Sequence, residues 1–142
     1  EQFFRDVSQR TPYPETNDAI VEIQRRWTTA VLSNADDGFL LPNLELLEVG
    51  FETVITSEHA QIYKPRAELF QLMIAHLGVS PDETAYVGDR LLEDVWGPTN
   101  AGMHAVWINR NKTPLNPDLP APVHQISSLL ELPNILANGL AT

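Results

Sequence analysis

The sequence contains no cysteine, which excludes disulfides and thiolate metal sites and fits a reducing, cytoplasmic setting. No apolar run approaches the roughly 20 residues that a membrane span needs, and no charged-then-apolar signal segment opens the chain. No internal repeat and no low-complexity segment is present. Positive charge is scarce: nine Lys and Arg stand against nineteen Asp and Glu, a formal charge of −10. That balance argues against a nucleic-acid surface and favours solubility. It fits a divalent cation offsetting clustered carboxylates, and it fits a plain acidic surface equally. Residue 1 is Glu rather than Met, as expected of a processed or partial chain. What remains is 142 residues, 43% of them hydrophobic, enough for one domain with a core.

Hydrophobic spacing gives the order of elements. Phe3, Phe4 and Val7 predict a short helix or tail, which runs into a turn at Thr11-Pro12-Tyr13-Pro14. Ala19, Ile20, Ile23 and Trp27 share one face of a helix over Asp18 to Trp27. Thr28 to Leu32 reads as a buried strand ending in Ser33-Asn34, and Ala35 to Gly38 as a loop. Leu40 to Glu48 is a second helix stopped by Gly50, and Phe51 to Ser57 a strand. A loop over Glu58 to Lys64 leads to a strong helix, Pro65 to Leu77, stopped by Gly78. Thr84 to Gly88 is a strand, Leu91 to Ala101 a helix and His104 to Asn109 a strand. The proline-rich stretch Arg110 to Val123 is a loop, followed by a short helix over Ser127 to Leu132 and a frayed tail. Strands alternating with helices predict an α/β protein with a parallel sheet and helices on both faces. The strand carboxyl ends then share one edge, where ligands of open α/β sheets bind.

Four groups converge on that edge. Ser33 and Asn34 can donate to an anion, although Asn34 can equally cap the next element. Lys64 can reach the edge as a point charge for phosphate, or lie on the surface. Asp89 has the hard oxygen ligands that Mg²⁺ selects, and it also suits a helix N-cap. Glu93 and Asp94 place negative charge near a helix N-terminus, which the helix dipole favours. The four histidines make no ligand set at metal spacing, and none is placed to activate Ser33 as a nucleophile. Trp27, Trp96 and Trp107 read as core.

These residues resemble the motifs of the haloacid dehalogenase-like hydrolases, most of which are phosphatases. Ala30-Val31-Leu32-Ser33-Asn34 is similar to the second motif of that family and Lys64-Pro65 to the third. Gly88-Asp89 through Asp94, then Gly97 and Ala101-Gly102-Met103, is similar to the fourth. The resemblance runs from about Tyr13 to Leu132 and implies a Rossmann-like, three-layer core over residues 13–142. It implies that Ser33 and Asn34 bond the transferring phosphoryl group and that Lys64 neutralises its charge. Asp89 would ligate Mg²⁺, and Asp94 would assist the metal site or orient Lys64. It implies a small phosphorylated substrate, no organic cofactor, no nucleic acid and no membrane. The acidic fourth motif favours a Mg²⁺-dependent phosphatase over a metal-free dehalogenase.

Departures from the family pattern are equally specific. The nucleophilic Asp-x-Asp motif and the first, central strand that carries it are absent, and residues 1–12 resemble only the last helix of a cap. Gln61 stands where glycine is common, and Arg66-Ala67 where Asp-Pro is. Loss of a central strand exposes two apolar strand edges. The chain is therefore expected to be inactive alone and to be completed by an N-terminal segment, by a second copy in a dimer, or by closure of the two edges. The alternative from another class is a non-catalytic binding or assembly module of the same fold.

Overall fold

The computed structural model describes residues 15–33 and 50–140. Helix α1 spans Thr16–Gln24 and buries Ala19, Ile20 and Ile23, as their spacing predicts. It ends at Gln24, short of Trp27, and the side chain of Gln24 donates to Thr29 Oγ1 (2.7 Å) and to the carbonyl of Gly50 (2.6 Å). Those bonds bring together the starts of two strands, β1 (Ala30–Ser33) and β2 (Thr53–Thr56). The strands pair in parallel with Ser33 opposite Thr56. A one-turn helix, α2 (Ser57–Ala60), follows where a loop is expected. The Thr56 hydroxyl caps it by accepting from the His59 N–H at 3.1 Å. Gln61 then takes the left-handed conformation at φ 58°, the reason a glycine suits that position.

Helix α3 (Ala67–Leu77) begins two residues later than the proline suggests. Pro65 lies in the turn closed by the Arg66 N–H on the Tyr63 carbonyl. Strand β3 (Ala85–Gly88) leads into a π-helical segment, Leu91–Trp96, and then α4 (Gly97–Asn100), where the periodicity predicts one continuous helix. The wider turn carries the adjacent residues Asp94 and Val95 both into the interior. Gly97 is required there, since a Cβ would lie 2.9 Å from the Phe70 ring. Strand β4 (His104–Ile108) pairs in parallel with β3, and β5 (His124–Ile126) with β4. Only Ile126 of β5 is buried, too little alternation to mark a strand in sequence. The chain closes with a 3₁₀ turn at Leu129–Glu131 and helix α5 (Leu132–Ala137), where a tail is expected.

The result is a parallel α/β fold whose strands form two groups, β1-β2 and β3-β4-β5. Side chains alternate across them. Val31, Val106, Ile108 and Ile126 pack under α1 and α5, whereas Leu32, Ile55 and Tyr86 pack under α3. Both layers therefore bind the two strand groups into one body. Among the described residues β1 and β3 are not ladder neighbours, so the direct closure of these edges anticipated above does not occur. The cap-like residues 1–12, Asn34, the loop at Ala35–Gly38 and the helix expected over Leu40–Glu48 lie outside the described residues. No described helix is long and apolar enough to cross a membrane.

Candidate active site

Parallel pairing puts the ends of β1, β2, β3 and β4 on one edge. Ser33 ends β1 and Thr56 ends β2, both buried. Lys64 enters from the turn before α3 and is 4% exposed, so its alternative as a surface lysine is wrong. Its ammonium donates to Asp94 Oδ1 at 2.7 Å and to the Tyr86 hydroxyl at 2.9 Å. Both side chains of the Lys64–Asp94 pair are fully buried. Burial pushes the Asp94 carboxyl up; positive charge, that of Lys64 included, and hydrogen bonds from Lys64 and the Arg90 N–H pull it down, and the net direction is below its ordinary value.

Asp94 does a second job. Its Oδ2 accepts from the Arg90 N–H at 3.0 Å, satisfying a donor that the helix start leaves open. Asp94 thus satisfies the Arg90 N–H from four residues further along the chain. Gly88 makes room for it, because a Cβ at residue 88 would lie 2.4 Å from Asp94 Cγ. Asp89, the residue after β3, is half-buried, and its carbonyl accepts from the indole N–H of Trp107 at 2.8 Å. Trp107 on β4 is core, as expected, and also pins the strand end that carries Asp89. Glu93 pairs with Arg90 at 3.5 Å, at the surface side of the same turn.

The structure therefore joins Lys64 and Asp94 directly. Ser33 follows at one remove, since the Tyr86 hydroxyl donates to the carbonyl of Leu32 at 2.9 Å. Tyr86 and Trp107 are the members that motif reading does not supply. Their signal is general: a phenol or indole on a buried strand needs a polar partner.

A metal fits this edge in part. Asp89 offers a carboxylate whose Oδ1 is shielded by protein, while Asp94 is committed to Lys64 and Arg90. Among the described residues no three acidic or histidine groups gather to hold an ion. Mg²⁺ keeps several waters and takes one or two protein carboxylates, so Asp89 is a suitable single ligand.

The sequence model of the haloacid dehalogenase-like hydrolases matches residues 2–108. This chain belongs to that family. It is 35% identical over 126 residues to a phosphoserine phosphatase of Thermus thermophilus, covering 83% of this chain and 49% of the relative. It is 28% identical over 131 residues to an (S)-2-haloacid dehalogenase 4A of Burkholderia cepacia, covering 90% of this chain and 56% of the relative. The crystal structure of a HAD phosphatase from Thermococcus onnurineus superposes with a TM-score of 0.79 at 31% identity, covering 92% of this chain and 60% of that one. The chain spans about half the length of the curated relatives it matches.

Proposed function

We propose that this chain is the greater part of the core of a Mg²⁺-dependent phosphomonoester hydrolase acting on a small phosphorylated substrate. The observation that carries this reading is the buried Lys64 ammonium, fixed between Asp94 and Tyr86 at the sheet edge that also bears Ser33 and Asp89. Phosphoryl transfer is mostly a matter of positioning and charge neutralisation, and a fixed cation serves both. Ser33 and Asn34 bond the phosphoryl oxygens, Lys64 balances their charge, and Asp94 keeps Lys64 in place. Asp89 holds the metal, which supplies Lewis-acid stabilisation of the phosphoryl oxygens when bound. The similar proteins named as phosphatases support a phosphatase reading.

The nucleophile comes from elsewhere. No Asp-x-Asp occurs in the sequence, and among the described residues β1 and β3 belong to separate strand groups, between which a further parallel strand would complete one sheet. Burial of Lys64 supports inactivity of the chain alone, because a phosphate reaches that ammonium only when the neighbouring structure is rearranged. A segment encoded upstream completes the sheet; a second copy in a homodimer is the other means.

An aryl phosphate with Mg²⁺ tests the proposal. The purified chain should show no turnover. A preparation that also carries the upstream segment should turn over, and Asp89→Asn should abolish it. Turnover by the chain alone refutes the inactivity claim, and Mg²⁺-independent turnover refutes the metal assignment.

A further inference from the structure

An open cavity of about 480 Å³ lies where β4 and β5 end, within the roughly 300–1,000 Å³ range of small-molecule sites. Its walls come from Trp107, from the loop after β4 and from the residues that follow β5. In the group β3-β4-β5 it is β3 that meets β1, through Tyr86 and Leu32, and β5 stands at the opposite end. A strand added beside β3 therefore leaves these walls in place. The cavity shares no lining with Ser33, Lys64, Asp89 or Asp94.

The loop after β4 is preformed. The side chain of Asn109, 6% exposed, accepts from the Thr113 N–H at 2.8 Å and donates to the Thr113 carbonyl at 2.9 Å. These two bonds staple the ends of the loop together. Inside it Lys112 stands at φ 53°, a left-handed conformation that residues other than glycine seldom take. Lys112 is exposed and lines the cavity. Glu131 lines it as well. One oxygen of that carboxylate accepts from the Ser127 N–H and the Ser127 hydroxyl, both at 2.8 Å, and from the Ser128 N–H at 2.9 Å. Those bonds hold the carboxyl below its ordinary value, so Glu131 is charged at neutral pH. They also fix its place while the second oxygen keeps its lone pairs.

One cation and one anion thus face a common space, and they do not pair with each other. A simple anion entering here meets the like charge of Glu131, and a simple cation meets that of Lys112. A short molecule with one charge of each sign meets both residues favourably. We propose that this cavity binds a free α-amino acid, its carboxylate on Lys112, its ammonium on the second oxygen of Glu131 and its side chain against the exposed Leu115. The stapled loop and the anchored carboxylate lower the ordering cost of binding. Nothing in this assignment depends on the phosphatase reading.

L-leucine titrated into ¹⁵N-labelled protein tests the assignment, with the backbone amides of Lys112, Thr113, Ser127 and Ser128 as the readout. The protein is this chain, or the chain with its upstream segment, whichever gives the dispersed amide spectrum of a folded molecule. The shifts of those amides should saturate with a Kd of about 1 mM or tighter. N-acetyl-L-leucine lacks the ammonium and L-leucinamide lacks the carboxylate, and each should bind at least about tenfold more weakly. Lys112→Gln, on an exposed loop, should weaken L-leucine by about tenfold or more, and so should Glu131→Gln, which keeps an acceptor for Ser127 and Ser128. Absence of saturable shifts at these amides up to about 20 mM L-leucine overturns the proposal. Equal binding of the three probes, or L-leucine affinity unchanged in Lys112→Gln, overturns it as well. If Glu131→Gln does not fold, the N-acetyl probe decides the role of the carboxylate. Phosphate hydrolysis is not read in this titration, so its failure and the failure of the proposed function are separate results.

Discussion

Replacing Asp94 by Asn should strand the Lys64 ammonium in the interior. The carboxylate and the ammonium sit 2.7 Å apart with both side chains fully buried. At an effective dielectric of about 20, their attraction is roughly 6 kcal/mol, against which the desolvation of both ions must be set. Removing one partner leaves the other charge buried and is expected to cost about 3–5 kcal/mol. Asn can still accept from the Arg90 N–H, the bond Asp94 now takes at 3.0 Å, so the loss isolates the charge pair. Lys64→Met should cost a similar amount for the converse reason. The double variant has no unbalanced charge and should fall short of the sum of the singles by at least about 2 kcal/mol, as contacting residues do. Urea unfolding of the four proteins, read at the midpoint with a common slope, measures the cycle. Additivity within about 0.5 kcal/mol, or single costs below about 1 kcal/mol, would refute the reading that a buried, mutually dependent pair organises this edge.

Three further outcomes are expected. Gly88→Ala drives a Cβ to 2.4 Å from the Asp94 Cγ and should destabilise by about 1–3 kcal/mol; the penalty should shrink in an Asp94→Ala background. The Asp94 carboxyl titrates below its ordinary value of 3.8, so its contribution to stability is present above about pH 4. That contribution is lost as pH falls through the lower, folded-state value, and Asp94→Asn should flatten this acid limb in a pH series of unfolding midpoints. Trp107→Phe keeps an aromatic ring on β4 but removes the N–H that holds the Asp89 carbonyl at 2.8 Å and leaves part of the indole's buried volume empty; a loss of at least about 1 kcal/mol in urea unfolding is expected.

Much of the site was legible because the family motifs sit at strand ends, and strand order follows from local periodicity. Lys64 and Asp94 are 30 positions apart, yet both are named by motif, and the structure brings them into contact. The readings that missed did so where a local pattern has two physical outcomes. The charge of Asp94 suits the start of a helix; the π-helical turn and the space at Gly88 let its side chain reach back to Arg90 and across to Lys64. Pro65 suits a first helical turn, but the bond from the Arg66 N–H to the Tyr63 carbonyl delays α3 to Ala67. β5 is three residues long with one buried side chain, below what alternation can register.

The sequence by itself determined that this is a parallel α/β chain with Ser33, Asp89 and Asp94 at or after strand ends and with no Asp-x-Asp motif. Those properties are written in residue type and in spacing along the chain. Only the tertiary structure decided that Lys64 is interior, that Asp94 reaches back to the Arg90 N–H, and that Tyr86 and Trp107 tie the strand ends together. Among the described residues it also decided that the two strand groups meet through side chains and not through a ladder. The physical reason is that burial and hydrogen-bond partnership depend on which strands lie side by side, and that is fixed by contacts between residues far apart in the chain.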